Sequence, residues 1–440
     1  MASSAFSQDE AILQRPNILI IFADDLGYET VGAYGALDFS TPNLDAMAED
    51  GMRFLRAYTS PVCTPSRVSL HTGLYTVDHK HTGVLPVHTG TREIVDFTPM
   101  PTFAQLLREN GYQTSVTGKW QLATLAYHPK HPYTAGFDSW CLWQIWDGDK
   151  NLKTTRFWNP CLNRDGLILN GTILEEATEL PNGVVLEAGT TITDARSEFG
   201  PDVLNGYVQE RMAKASAEKQ PFLILHNMML PHRPIIETPA GGEASLAGMV
   251  SYMDMLVGSL LKEIEQLGIR ENTYVFFIGD NGTESGNPRQ TIAGAVMGGK
   301  RNLNDAGTHV PFIVWGPEAI PEGTVNNTLV DITDIFPTVC ALADVPVPET
   351  LFIRGHSIAP QILGDAVESP RTLVHMGISG GGHALYDGHW RYVKKGKSEV
   401  IIDSSALPIE RVSIPETEEA TLAKKRLRYE LETIIATSPR

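Results

Sequence analysis

Four short apolar runs constrain this chain more than any other feature. "NILIIFADD" (Asn17–Asp25), "PFLILHN" (Pro221–Asn227), "YVFFIGDNG" (Tyr274–Gly282) and "PFIVWGP" (Pro311–Pro317) show no alternation and stop abruptly in polar or glycine-containing turns. A strand with one face in water alternates, whereas a strand buried on both faces does not. Helical patterns lie between them: "TPNLDAMAEDGMRFLRAY" with Thr41 as cap before Pro42, "PTFAQLLRENG" ending at Gly111, and the amphipathic "MVSYMDMLVGSLLKEIEQLG" (Met249–Gly268). Strands alternating with helices predict an α/β fold, a large, mostly parallel central sheet flanked by helices.

From about residue 370 the pattern changes. "HALYDGHWRYVKKG" sets an Asp-Gly turn between two short strand-like runs, the mark of a hairpin, and "PETEEATLAKKRLRYELETII" reads as a charged terminal helix. With 440 residues, the chain divides into an N-terminal extension (1–16), a main domain (17–368) and a C-terminal α+β subdomain of antiparallel strands (369–440).

Composition mainly excludes. A formal charge of −17 argues against nucleic acid or anionic lipid as a general partner, but not against one anionic group in a locally basic pocket. The four cysteines, Cys63, Cys141, Cys161 and Cys340, are far apart and include no C-x-x-C pair, so neither a disulfide scaffold nor a zinc ribbon is expected. No apolar run approaches the ~20 residues of a membrane span. The start, "MASSAFSQDEAILQRPN", has neither the basic beginning nor the apolar core of an export signal, so the chain reads as cytosolic or as a mature form whose signal was removed.

Ligands of open parallel sheets bind beyond the carboxyl ends of the strands. Asp24 and Asp25 end the first run, and Asp280 and Asn281 the third. Either pair alone could cap a turn or helix. Two pairs on one edge favour a site for a hard divalent cation, Ca²⁺ first and Mg²⁺ second. Cys63 sits in "SPVCTPSR" (Ser60–Arg67), where Pro65 signals a helix start. It therefore stands at the positive end of a helix with Arg67 one turn on, a setting that activates a nucleophile; the other reading is a small buried cysteine.

The spacing Cys63-x-Pro65-Ser66-Arg67 resembles the signature of the formylglycine-dependent (type I, arylsulfatase-like) sulfatases of the alkaline phosphatase superfamily. Other segments resemble that family in the same order: "RPNILIIFADDLGY", "TGKWQLA", "LPHRP", "GDNG", "GGKRNLNDAGTHVPFIVWGP" and "DITDIFPTVCALADVPVP". The resemblance implies that a maturation enzyme oxidises Cys63 to formylglycine. It also implies that Asp24, Asp25, Asp280, Asn281 and the modified Cys63 hold the metal. Arg67, Lys119, Gln121, His232 and Lys300 would then surround a sulfate ester. A hydroxyl of the hydrated aldehyde would attack sulfur, and His232 or Lys300 would protonate the leaving oxygen. The implied substrate is a sulfated carbohydrate or another small sulfate ester, and the family's usual locations are periplasmic or secreted. A phosphodiesterase or phosphonate monoester hydrolase of the same superfamily is the alternative enzyme, and a non-catalytic sulfated-glycan-binding relative the alternative from another class.

Lys119-Trp120-Gln121 departs from the family's usual Lys-Trp-His, and glutamine cannot take up a proton. His71, one turn beyond Arg67, is a substitute base to test, followed by His79, His81, His88 and His309. The segment Asp305–His309 is also altered, with an expected bearing on substrate contacts. "WCLWQIWDGDKNLKTTRFW" (Trp140–Trp158) holds four of the seven tryptophans. Trp140 and Trp143 read as core, while Lys150, Lys153 and Arg156 lie nearby for further anionic groups of a sugar. "NGT" at Asn281 matches a glycosylation sequon that a metal ligand could not use.

Overall fold

The computed structural model describes residues 15–147, 153–366, 368–405 and 417–439. Its longer elements, in chain order, are β1 (Asn17–Ala23), α1 (Pro42–Glu49), β2 (Met52–Tyr58), α2 (Cys63–Thr72), α3 (Phe103–Glu109), β3 (Gln113–Gly118), β4 (Ser139–Trp143), β5 (Leu162–Arg164), β6 (Leu167–Ile168), α4 (Gly200–Glu218), β7 (Phe222–Asn227), α5 (Leu246–Gln266), β8 (Thr273–Gly279), β9 (His309–Trp315), β10 (Thr324–Asp331) and α6 (Ile335–Leu342). Then come β11 (Val374–Ile378), β12 (Gly382–Tyr386), β13 (Trp390–Lys395), β14 (Ser398–Asp403) and α7 (Glu418–Ala436).

The ten strands β1–β10 form one mixed sheet in the order β10-β2-β9-β8-β1-β7-β3-β4-β5-β6. Its centre, β8-β1-β7-β3-β4, is parallel. Alternate residues of β1 feed opposite cores. Ile18, Ile20 and Phe22 pack with Val68 and Leu70 of α2, Phe103 of α3 and Phe336 of α6. Leu19 and Ile21 pack with Met47 of α1, Val208 of α4 and Met253 of α5. Helices on both faces explain why these runs carry no polar alternation.

One expectation needs correction. "MRFLRAY" is strand β2, not a continuation of the helix before it. Gly51 makes the break: a Cβ there would lie 2.3 Å from the carbonyl oxygen of Val314, so the chain crosses β9 where only glycine fits. Thr41 is the N-cap residue of α1 as expected, but its side chain accepts no N–H of the first turn. Asp254 of α5 does so instead, accepting from the backbone N–H groups of Asn43 (3.1 Å) and Leu44 (2.8 Å). The fourth apolar run lies in β9, antiparallel to both β8 and β2, and its register shifts around Pro311, which has no N–H to give to a ladder.

β11 to β14 form a separate antiparallel sheet in sequence order. The expected hairpin is β12–β13, pairing Tyr386 with Arg391 across the Asp387–His389 turn. α7 closes it, with Ala423, Leu427 and Leu431 against Leu385, Trp390 and Tyr392.

The register of the parallel centre positions the site. Ala23 is level with Gly279, Phe22 with Asn227, and Asn227 with Gly118. Whatever follows these residues emerges at one edge.

Candidate active site at the carboxyl edge of the sheet

Asp24, Asp25, Lys119, Gln121, Asp280 and Asn281 follow those strand ends directly. Loop backbones hold them: Asp280 N–H donates to the carbonyl of Ala23 (2.8 Å), Lys119 N–H to Asn227 (2.9 Å) and Asp24 N–H to Leu230 (3.1 Å). β2 delivers Cys63 to the same edge. After Val62 the chain turns into α2, where Pro65 lies among the first-turn positions that need no donor. Ser66 Oγ ties the turn by donating to the carbonyls of Ser60 (3.0 Å) and Val62 (3.2 Å).

Nearly every predicted site residue meets here. One coordinating atom each from Asp24, Cys63 and Asp280 lie within 4.8 Å of one another, as do those of Asp24, Asp25 and His232. Lys119 Nζ donates to both Asp24 oxygens (2.7 and 2.9 Å) and Lys300 Nζ to Asp25 Oδ2 (2.6 Å). Arg67 donates to Asp280 Oδ2 and Asn227 Oδ1, each at 2.8 Å. His232 Nδ1 bonds the Arg233 carbonyl (2.7 Å), which assigns its proton to Nδ1. Nε2 then faces Lys300 Nζ at 3.3 Å and Asp25 Oδ2 at 3.5 Å. The Cys63 thiol donates to Gln121 Oε1 at 3.1 Å. Asp25 (φ 65°) and Gln121 (φ 53°) both hold the left-handed backbone conformation, strain of the kind that clusters at working sites.

The donor set fits a hard divalent cation. Asn281 is fully buried; its Nδ2 donates to Asp25 Oδ1 (2.9 Å) and the Gly282 carbonyl (2.9 Å), while Oδ1 has no hydrogen-bond partner among the described residues. An unpaired buried acceptor beside three carboxylates is what such an ion would satisfy. Electrostatics agree. Burial alone would raise the Asp24 carboxyl, but Lys119, His232, Arg156 and Arg67 outweigh it and hold it well below the usual carboxylate range. Burial, and then the charge on Asp24, raise Asp280. Burial takes His232 down to about 3. Buried among protein atoms, Asn281 is also no glycan acceptor.

The candidate bases fare differently. His71 is buried in the core, ringed by Phe97, Phe103, Trp120 and Phe137 at 5.5–5.8 Å. His79 bonds Ser69 Oγ, His81 stacks beside His79, and His88 is exposed. His309 lies between Tyr28 and Tyr58 and bonds Asp305, which also pairs with Arg391. The altered Asp305–His309 segment is therefore a buried structural network. In the insert, Trp140 and Trp143 are core residues as expected, and Trp158 is exposed. Lys150 lies outside the described residues.

Two residues here, Asn227 and Glu284, were not assigned to this site from the sequence, and a third, Arg156, expected to meet further anionic groups of a sugar, lies closer to the centre than that. Asn227 orients Arg67; as the polar end of a core run it carried the same signal as Asp24. Glu284, three residues past Asn281, joins Lys300 (3.5 Å), Arg301 (3.1 Å) and Arg233 (3.1 Å). Arg156 reaches Asp24 Oδ2 at 3.2 Å. A cavity of about 290 Å³ lined by Asp25, Phe39, Pro231, Arg233, Glu284 and Arg289 opens onto this cluster.

The fold and this cluster on its carboxyl edge define a chain with a built site for a cation and an anion, and comparison supplies the family. The sequence model of the family described as Sulfatase matches residues 16–345. The chain belongs to the sulfatase family. It is 31% identical over 381 residues to the N-acetylgalactosamine-6-sulfatase of Canis lupus familiaris, across 80% of this chain and 66% of that protein, just under two thirds of its length. With the N-acetylgalactosamine-6-O-sulfatase of Bacteroides thetaiotaomicron it shares 26% identity over 450 residues, 88% and 84% of the two chains. A solved structure described in connection with glycosaminoglycan metabolism by Bacteroides thetaiotaomicron shares the fold, with a TM-score of 0.78 at 23% identity over 96% of this chain and all of that one.

Proposed function

We propose that this chain hydrolyses a sulfate ester on a sulfated carbohydrate, with Cys63, oxidised to formylglycine, as the nucleophilic residue. The observation that carries the reading is the meeting of Cys63, Asp24 and Asp280 within 4.8 Å at the positive end of α2. Asp24, Asp25, Asp280 and Asn281 would hold one divalent cation, Ca²⁺ before Mg²⁺ because four protein side chains converge on it, where Mg²⁺ usually keeps most of its water and one or two carboxylates. When bound, that ion supplies Lewis-acid stabilisation of charge on the sulfate oxygens. Hydrated formylglycine supplies the attacking hydroxyl.

The chain's own groups do the rest. Arg67, held by Asn227 and Asp280, and Lys119, held by Asp24, present fixed positive charge to the ester. Lys300, 3.3 Å from His232 Nε2, can donate a proton directly to the leaving oxygen, with the His232 ring held beside it by the Arg233 carbonyl. The cavity beside Asp25 would take the sugar. Residues 17–368 would form the catalytic unit and 369–440 the appendage, acting in the periplasm or after secretion.

The two relatives are named as N-acetylgalactosamine-6-sulfatases, so N-acetylgalactosamine 6-sulfate is the first substrate to try. The test is release of inorganic sulfate from a panel of mono-sulfated sugars, beside matched phosphate and phosphonate monoesters. Sulfate release at the higher kcat/KM supports the reading. Faster phosphate or phosphonate release would move the chain to the hydrolase alternative, and binding without product to the glycan-binding one.

A further inference from the structure

Arg156 lies in the stretch between β4 and β5, outside every motif of the family resemblance, yet it reaches the centre of the site. Its Nη1 donates to Asp24 Oδ2 at 3.2 Å, and its side chain is 9% exposed. The guanidinium sits over the Trp143 ring, 4.5 Å from the centroid, with Phe157 at 5.8 Å. That platform is itself fixed. Trp143 Nε1 donates to Thr154 Oγ1 (2.9 Å), Thr154 Oγ1 to the Gln144 carbonyl (2.6 Å), and Thr154 N–H to the Ile145 carbonyl (3.0 Å). An arginine stacked and boxed in this way has already lost its rotamer freedom, so it can meet an anion with little further ordering.

The charge count gives the second argument. Asp24, Asp25 and Asp280 each already have a close cation: Lys119 at 2.7 Å, Lys300 at 2.6 Å and Arg67 at 2.8 Å. Arg156 is the second cation on Asp24, after Lys119, and its contact with that carboxylate is the longer of the two, while Lys300 also meets Glu284 at 3.5 Å. A nearly buried guanidinium that shares its carboxylate with a closer lysine is well placed to meet a further anion. Only one Arg156 hydrogen bond occurs among the described residues, so most of its five N–H donors remain for a ligand. Gln121, in contrast, brings no charge.

We propose that Arg156 is a sulfate-binding residue of this site, supplying the transferring sulfate with a permanent positive charge that Gln121 does not. The proposal rests on the sulfatase reading above. It also gives the stretch between β4 and β5 a role in the reacting centre.

The test uses Arg156→Gln and Arg156→Lys in the matured, Ca²⁺-loaded protein, with melting curves to establish that each folds. Inorganic sulfate is titrated by calorimetry, KM and kcat are measured on a sulfated sugar, and Ca²⁺ affinity is measured separately. The expected result is roughly 10- to 100-fold weaker sulfate binding in Arg156→Gln, with a raised KM, partial recovery in Arg156→Lys and unchanged Ca²⁺ affinity. Unchanged sulfate affinity overturns the proposal. So does a loss confined to Ca²⁺ affinity, which would make Arg156 a positioning residue for Asp24. A parent protein that neither binds nor releases sulfate would instead overturn the sulfatase reading, and this proposal with it.

Discussion

The Cys63 thiol lies 3.1 Å from Oε1 of Gln121, so the residue to be modified faces a side chain that can accept a hydrogen bond but cannot carry a proton away. If release of covalent sulfate needs a base at this point, Gln121→His supplies one, with an ordinary pKa of about 6.5. Histidine also tolerates the left-handed backbone of position 121 better than most residues. Gln121→His is expected to raise kcat, shrink the pre-steady-state burst and add a limb near neutrality to the kcat–pH profile. Stopped-flow and steady-state rates on one substrate check this. An unchanged burst would mean that another residue already serves.

Cys63→Ala removes the nucleophile while sparing the fold. Turnover is expected to fall by roughly 10⁴-fold or more. The buried side chain loses only its sulfur, so the stability change is on the order of 1 kcal/mol. Sulfate release and a melting curve on the same preparation separate the two effects.

The crowding of Asp24, Asp25 and Asp280 predicts strong coupling between cation and stability. A ligand at a hundred times its Kd adds about 2.7 kcal/mol, so chelation should lower Tm and Ca²⁺ should restore it. In Asp280→Ala the Ca²⁺-dependent rise should largely vanish. Differential scanning calorimetry with and without chelator measures both.

His71 predicts acid sensitivity unrelated to catalysis. Burial first, then Arg67 and His131, lower it from 6.5 to about 3. As pH falls below 6.5 the unfolded chain binds a proton that the folded chain refuses, so stability is lost at up to ~1.4 kcal/mol per pH unit until about pH 3. His79, also lowered to about 3 by burial, adds to the slope. His71→Phe should flatten the decline and move the acid-unfolding midpoint to lower pH, as urea unfolding from pH 7 to pH 4 would reveal.

Much of the site was legible because the same residues serve both fold and chemistry. Apolar runs that stop in Asp24-Asp25 and Asp280-Asn281 name strands buried on both faces, and their ends must share an edge once the strands are parallel. What stayed hidden was non-local. β2 reads as helix in the sequence because Arg53, Leu55 and Arg56 blur its alternation, and the break at Gly51 is set by β9 rather than by its neighbours. His71 has helical spacing from Arg67, but aromatic rings from distant segments occupy its face. The place of Arg156 at the site depends on the path from β4 to β5, which no local motif encodes.

The most direct test is the mass of the tryptic peptide Ala57–Arg67, "AYTSPVCTPSR", after co-expression with a formylglycine-generating enzyme. The account predicts loss of the Cys63 sulfur and gain of an aldehyde oxygen. An intact thiol, in a preparation where a control substrate is converted, would contradict it.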